Sequence, residues 1–554
     1  MTLAAWLNTA WMLKYLPEAR AFRRATWRVS QTQAALLAAL LRHNRDTEFG
    51  RAHGFSGIAS VRAYQERVPL SGYEDYAPFI ERIAAGKARV LTVDPVQLLE
   101  PTSGTTCGEK LIPYTAGLRR QFQRAVAVWI HDLFRHRPLL RQGRAYWSIS
   151  PALSPPRRTV AGIPIGFDED AAYLGTFERW ALDRLLVRPP TSLKQANLET
   201  FRYATLLHLL RAEDLTLLSV WNPTFLTTLL EPLPVWHDRL CADLRQGTFS
   251  PPGAKATGHV PQPAGRTRDP CRAAALGSIF RMRATFADKL RLIWPRLALV
   301  SCWTDAAAGR FVPALQALFP AAEIQPKGLL ATEGCVSFPL LRPAASVLAV
   351  RSHFFEFQEA HAGACRLAHE IEPGGRYHVI LTTAGGLYRY QLRDEVEVVG
   401  FENRCPLLRF LGKADRVSDL VGEKLAEPHV RAVLERAFMV QQLAPTFVLL
   451  VPVLEARPHY RLYVQGLDRS ASALLQAELE AGLQENPYYR YAVQLGQLAP
   501  VDIHVLAPDT VPAWRIYERH CLTRGQRAGN IKPAVLDAWS GWADEFRVLQ
   551  KEGA

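Results

Sequence analysis

The sequence predicts an α/β protein: a large N-terminal domain with mixed β-sheets flanked by helices, and a small C-terminal α+β domain on a hinge. Three observations predict it. Short β-rich runs alternate with amphipathic helical stretches up to about residue 410. The composition changes after Phe410. Beyond that point two adjacent strand-like runs, a helical stretch and a further strand make a small domain of their own.

In chain order, residues 30 to 90 are helical, with QTQAALLAALLRHNRD placing apolar residues at i, i+3, i+4 and i+7. ARVLTVDPVQLLEP then shifts to short β-rich runs and enters the small-residue loop PTSGTTCGEK. An amphipathic stretch from Ala116 to Arg137 follows. The expected layout is strand, loop, helix, which suits a phosphate-holding loop. Residues 200 to 245 are helices around the strand LTLLSVW, and LALVSCW is a second buried strand. Between them PPGAKATGHVPQPAGRTRDP, residues 251–270, is Pro- and Gly-rich with almost no large apolar residue, as expected of a mobile surface insertion. EIQPKGLL, SVLAV, YHVILTT and EVEVVGF add strands to a mixed sheet. After Phe410 come a turn and amphipathic helix in GKADRVSDLVGEKLAEPHVRAVLERAF. The strands TFVLLVPVL and HYRLYVQGL, a helix from Ala471 to Gln484 and the strand VDIHVLAP complete the chain's pattern. The boundary falls near Gly412, giving a large domain over 1–412 and a small mobile domain over 413–554.

With 554 residues, 48% hydrophobic and 21% charged, the chain buries a sizeable core, which excludes disordered and fibrous classes. No apolar run approaches the roughly 20 residues of a membrane-spanning helix. The formal charge of +14 is spread along the chain, a distribution that favours a polyphosphate ligand such as ATP over nucleic acid. The eight cysteines include no close pair, so neither a zinc site nor a disulfide framework is signalled, and reduced thiols in a cytoplasmic protein are expected. The first residues lack the pattern of a signal peptide. Arg20, Arg24 and Arg28 recur every four residues and share one helix face, either solvated or available for peripheral contact with anionic lipid.

The sharpest chemical element is Thr102, Ser103, Gly104, Thr105, Thr106, Cys107, Gly108, Glu109 and Lys110. Two glycines allow a tight turn that brings amide N–H groups to an anion, the hydroxyls add donors, and Lys110 adds a point charge. It is not a Walker A loop, which needs four residues between its glycines and Lys directly after the second. Thr332, Glu333 and Gly334 follow the apolar run GLLA, placing a carboxylate where it could hold Mg²⁺ against phosphate oxygens. Asp394, in YRYQLRD, could accept ribose hydroxyls. Lys413, Ala414 and Asp415 fall at the domain boundary. There is no GxSxG elbow, HExxH helix or GxGxxG βαβ loop, so serine hydrolysis, zinc proteolysis and hydride transfer have no support.

The order and spacing of these clusters resemble the adenylate-forming superfamily of acyl-acid ligases, and more closely a bacterial member of the GH3 acyl-acid amido synthetases. EFGRAHGF at 48–55, PTSGTTCGEKLIPYT, ATEG, YRYQLRDEVEVVGF, FLGKADRVSDLVGEKL and RGQRAGNIK carry the resemblance over nearly the full length. It implies ATP contacts from Thr102, Ser103, Gly104, Thr105, Thr106, Gly108, Lys110, Thr332, Glu333, Asp394 and Lys413, with phosphate contacts from Ser103, Thr105 and Thr106. It also implies metal or phosphate work at Glu333, a hinge at Lys413, Ala414 and Asp415, and a mobile catalytic Lys532. Two residues depart from the pattern: Arg393 stands where the family usually has Gly, and Lys413 where the superfamily commonly has Arg, whose bidentate fork Lys lacks.

The reaction this implies has two steps. A carboxylic acid and ATP give an acyl-adenylate and pyrophosphate, and an amine, expected to be an amino acid, displaces AMP to form an amide. Ser219, Trp221, Asn222 and Trp303 are the expected acyl-pocket residues, with core packing as their alternative role. ATP and Mg²⁺ are the expected cofactors, and a monomer or weak dimer the expected state. The alternatives are transfer of the acyl group to a thiol, of coenzyme A or a carrier protein, and a non-catalytic anion-binding protein of the same fold.

Overall fold

The computed structural model describes residues 2–102, 110–147, 157–166, 180, 184–187, 189, 198–252, 268–341, 345–359, 363, 365–413, 416–455, 457–468, 471–507, 512–524, 526 and 531–552. Most of the 251–270 insertion, all of 103–109, and Ala414 and Asp415 lie outside them. The chain forms two compact units: Met1–Thr304, Val312–Leu392 and Val396–Phe410, and a smaller one of Asp305–Phe311, Arg393–Glu395 and Leu411–Ala554.

The larger unit begins with the helix Leu3–Trp27, whose first turn is capped by the Thr2 hydroxyl accepting from Ala5 N–H. It packs on the long helix Ala116–His136, Trp11 meeting Phe134 edge to face at 6.2 Å. The next helix, Val29–Asn44, is pinned by the buried Gln33. That amide donates to the carbonyls of Val350 and His353 and accepts from Phe355 N–H. Three sheets follow among the described residues.

The first sheet places Lys110–Thr115 beside Val96–Thr102, with Pro164–Ile165 and Arg157–Arg158 beyond. The second has four strands, in the order Arg144–Trp147, Leu215–Ser219, Leu299–Cys302 and Glu323–Pro326, all parallel. Every residue of its two central strands is buried, as expected of parallel strands covered on both faces. The helices Leu198–Arg211, Pro223–Leu230 and Pro270–Arg281 bury Leu209, Leu226 and Leu276 in the core this sheet shares. The third sheet has seven strands, in the order Cys365–Leu367, Phe354–Glu359, Arg376–Thr382, Tyr390–Glu402, Cys405–Lys413, Ala345–Leu348 and Ser337–Leu340. Its apolar residues, Phe355, Phe357, Val379, Leu381 and Val396 among them, join the main core.

The smaller unit is built on Phe447–Val453, antiparallel to His459–Gln465, which pairs parallel with Asp502–Leu506. Side chains alternate across the first strand with period two. Val448 and Leu450 enter one core with Val430, Leu434 and Leu479, from the helices Glu427–Val440 and Ser472–Leu483. Phe447, Leu449 and Val451 enter a second core with Trp514, Tyr517 and Trp542.

Candidate active site

The structure corrects one expectation directly. The hydroxyl- and glycine-rich loop leads not into a helix but into a second strand: Thr102 pairs with Lys110 and Val96 with Thr115 across an antiparallel ladder, and the helix Ala116–His136 starts only after it. KLIPYT hides its strand character behind Pro113, and a proline is tolerated there because this is the edge strand of its sheet. The helix N-terminus, capped by the Thr115 hydroxyl, is therefore one whole strand away from the loop. Lys110 opens that strand with its ammonium 5.7 Å from the centre of the Tyr73 ring.

Thr332 and Glu333 form the tip of a two-residue hairpin, in which Ala331 and Gly334 exchange both backbone hydrogen bonds and Leu330 bridges Cys335. Four side chains set this turn. Tyr114, on the strand after the loop, donates to the Thr332 carbonyl at 2.5 Å. The Tyr390 hydroxyl lies 3.4 Å from the Glu333 carboxylate, and burial, followed by that carboxylate, raises the phenol's pKa well above its ordinary value. Behind the turn, His353 is fully buried. Its Nε2 accepts from Cys335 N–H at 3.0 Å, which leaves the ring proton on Nδ1, 3.0 Å from Gln121 Oε1. Gln121 Oε1 also accepts from Ala384 N–H. Burial first, and Arg124 second, push the pKa of His353 down to about 3. Gly334 is needed here because a Cβ would stand 2.9 Å from His353 Nε2.

The expected acyl-pocket residues lie at the carboxyl end of the four-stranded parallel sheet. Ser219 ends one strand. Trp221 and Trp303 leave two neighbouring strands, with ring centres 5.7 Å apart and Trp303 N–H donating to the Trp221 carbonyl. Asn222 caps the helix Pro223–Leu230, its side chain accepting from Thr224 N–H. Sequence reasoning missed Lys327, which follows the strand Glu323–Pro326 and donates to the Ser219 hydroxyl at 2.7 Å. It also missed Tyr114, Tyr390 and the pair Gln121–His353. For Lys327 the available signal was a lone cation directly after a strand. For the others, whose partners lie tens to hundreds of residues away, there was none.

In the smaller unit, Asp394 is almost wholly buried, 2% exposed, with Lys413 Nζ 2.9 Å from its Oδ1. Arg393 before it has a backbone φ of 57°, the left-handed region that glycine favours, and its side chain is exposed. This accounts for the departure noted above: within the strand Tyr390–Glu402 the arginine holds a glycine's conformation. Lys532 lies in an extended segment whose backbone is clamped at several points. Tyr517 Oη donates to the Lys532 carbonyl, Val535 N–H donates to Glu427, and Leu450 pairs with Leu536.

Fold and site define a two-unit α/β protein in which the second strand of a hairpin is tied, through Tyr114, to an acidic turn. Residues 18–324 match the GH3 family N-terminal domain, 346–413 its central domain and 429–538 its C-terminal domain, and the chain belongs to the GH3 family. It is 26% identical over 476 residues to a probable indole-3-acetic acid-amido synthetase, GH3.4, of Oryza sativa subsp. japonica, covering 80% of this chain and 74% of the relative. To the indole-3-acetic acid-amido synthetase GH3.8 of Oryza sativa subsp. indica it is 23% identical over 541 residues, covering 88% and 85%. The solved structure of the AtGH3.15 acyl acid amido synthetase in complex with 2,4-DB shares the fold, with a TM-score of 0.82 and 19% identity over 96% of this chain and 95% of that one.

Proposed function

We propose that the protein is an ATP-dependent acyl-acid amido synthetase. A carboxylate oxygen attacks the α-phosphorus of ATP and pyrophosphate leaves. An amino acid's amine then attacks the acyl carbon, and AMP departs as the amide forms. The observation that carries this reading is the Tyr114–Thr332 hydrogen bond, because it ties the flank of the loop to the turn bearing Glu333. Phosphate-holding groups and a carboxylate are then held in one frame, as adenylation requires. Membership of a family whose named relatives are acid-amido synthetases supports it.

In this reading Ser103, Thr105 and Thr106 hold the phosphates, with Thr102, Gly104, Gly108 and Lys110 shaping the loop and adding charge. Mg²⁺ keeps most of its ligands as water and phosphate oxygen, so a single half-buried Glu333 fits it. When bound, the ion would neutralise phosphate charge. Asp394 takes the ribose, with Lys413 Nζ, 2.9 Å from its carboxylate, holding it in place. Lys532 stabilises the charge that develops at the α-phosphorus, delivered by closure of a domain spanning 413–554 that also excludes water from the adenylate. Ser219, Trp221 and Trp303 face the acid. The described cysteines are all free thiols, the form a reducing cytoplasm maintains.

The test is pyrophosphate release with ATP and Mg²⁺ against a panel of carboxylic acids, with and without amino acids, and mass spectrometry of the products. Acid-dependent release and an amide product are expected, and Lys532→Ala should slow adenylate formation by about 10²- to 10³-fold, the scale of one lost transition-state contact. A thioester with coenzyme A and no amide would reassign the acceptor. Failure to bind ATP would defeat the reading.

A further inference from the structure

The four parallel strands Arg144–Trp147, Leu215–Ser219, Leu299–Cys302 and Glu323–Pro326 deliver Trp147, Ser219 with Trp221, Trp303 and Lys327 to one edge. In open α/β sheets ligands bind at the carboxyl ends of the strands. Here that edge carries several indoles around one ammonium. Lys327 Nζ is 5.0 Å from the centre of the Trp221 ring and 5.7 Å from that of Trp129, within cation–π range of both. Trp129, from the long helix Ala116–His136, is fixed by its indole N–H donating to Gln325 Oε1 and by an edge-to-face contact with Trp147 at 5.7 Å. Lys327 is oriented by the fully buried Ser219 hydroxyl at 2.7 Å. Lys327, Trp147, Trp221 and Trp303 are all half-buried rather than sealed in the core.

We propose that Lys327 is a specificity-determining residue, selecting aromatic carboxylic acids that bear a second hydrogen-bond acceptor or anion on the ring, remote from the carboxylate that reacts. This rests on the ligase reading above for its catalytic consequence, and on the sheet edge alone for binding. Flat indole faces suit an aromatic ring, and a hydrogen bond from the ammonium favours a ring that brings it an acceptor.

The experiment compares matched pairs, benzoate with 4-hydroxybenzoate and with terephthalate, and phenylacetate with 4-hydroxyphenylacetate. Affinity is measured by calorimetry and turnover by pyrophosphate release, in the wild type, Lys327→Met and Lys327→Arg. The wild type should prefer the acceptor-bearing member by about 10- to 100-fold, the scale of a hydrogen bond to a charged group. In Lys327→Met the ratio should fall to near one, and in Lys327→Arg much of it should return, which a merely structural lysine would not produce. Ser219→Ala, which keeps the charge and frees its orientation, should weaken the preference without abolishing it. An unchanged ratio in Lys327→Met, or no binding of any panel acid to the wild type, overturns the inference. Selective binding without pyrophosphate release overturns the ligase reading and leaves the recognition by Lys327 standing.

Discussion

His353 makes the acidic turn sensitive to acid, by an amount that the structure sets. Its Nε2 accepts from the Cys335 amide, so a proton added there would face an N–H donor and bury a charge, in a ring with no exposed surface. Its pKa is pushed down to about 3 in the folded protein, against about 6.5 when unfolded. The sign follows from linkage. Below pH 6.5 the unfolded chain binds a proton that the native state refuses, so the stability this group contributes is complete above pH 6.5 and declines as the pH falls toward 3. At about 1.36 kcal/mol per unit, a change from pH 7.5 to 5.0 crosses about 1.5 units of that window and removes about 2 kcal/mol. His353→Gln keeps an acceptor for the Cys335 amide and does not titrate. It should cost about 1–3 kcal/mol at pH 7.5 through imperfect hydrogen bonding, then lose about 2 kcal/mol less than the wild type on acidification. Urea titrations read by peptide-resolved hydrogen exchange over residues 329–340 report this unit alone, and the double difference cancels every other titrating group. Equal losses in both proteins, within about 0.5 kcal/mol, would show that His353 protonates normally and that the neutral clamp is wrong.

Two further predictions concern stability. Arg389 and Glu356 form a buried ion pair with Nη2–Oε1 3.0 Å apart, and Arg389 also donates to the carbonyls of Gln65 and Val68. Arg389→Met strands a fully buried carboxylate and should cost about 3–5 kcal/mol, while the double change with Glu356→Leu should recover part of it, in the same unfolding measurement. Arg393→Gly removes the strain of an L-residue at φ 57° in exchange for extra chain entropy, and should raise the unfolding free energy of the smaller unit by about 0.5–1 kcal/mol; a decrease would show that the exposed arginine has a stabilising role.

What was legible in the sequence follows from where each interaction lies along the chain. LTLLS and LVSC read as buried strands because parallel strands covered on both faces have no polar alternation to obscure them. The helix Ala116–His136 was readable from its own periodicity, as was Ser472–Leu483. The strand Lys110–Thr115 was not, because Pro113 signals a break unless one knows that the strand lies at a sheet edge. Asp305–Phe311 packs with the C-terminal unit through Phe311 against Trp514 at 5.2 Å, a pairing of residues about two hundred positions apart with no local signature. The site divides in the same way. The loop and the Thr332–Glu333 pair were visible as local motifs, Ser219 as the end of a strand, and Trp221 and Trp303 as residues after strands. Lys327 gained meaning only when the sheet brought Ser219 to its ammonium, and Asn222 also serves as a helix cap.

Two of the groups that hold the acidic turn, Tyr114 and Gln121, share one short stretch of chain. Tyr114 grips the turn at the Thr332 carbonyl, and Gln121, seven residues on, grips it from behind through His353 and the Cys335 amide. Between them Thr115 caps the helix and its hydroxyl reaches the Ala384 carbonyl, while Ala384 N–H returns to Gln121. The segment immediately downstream of the phosphate-loop candidate therefore fixes the carboxylate turn at two points and the 383–386 turn at two more. A displacement of the Lys110–Thr115 strand cannot leave Glu333 where it was without breaking a hydrogen bond whose partners are largely buried, at about 1–3 kcal/mol for each. Loop flank and acidic turn consequently behave as one rigid body. This rigidity is what adenylation chemistry would require of them, since phosphate and carboxylate must be held at a fixed separation while the acid attacks.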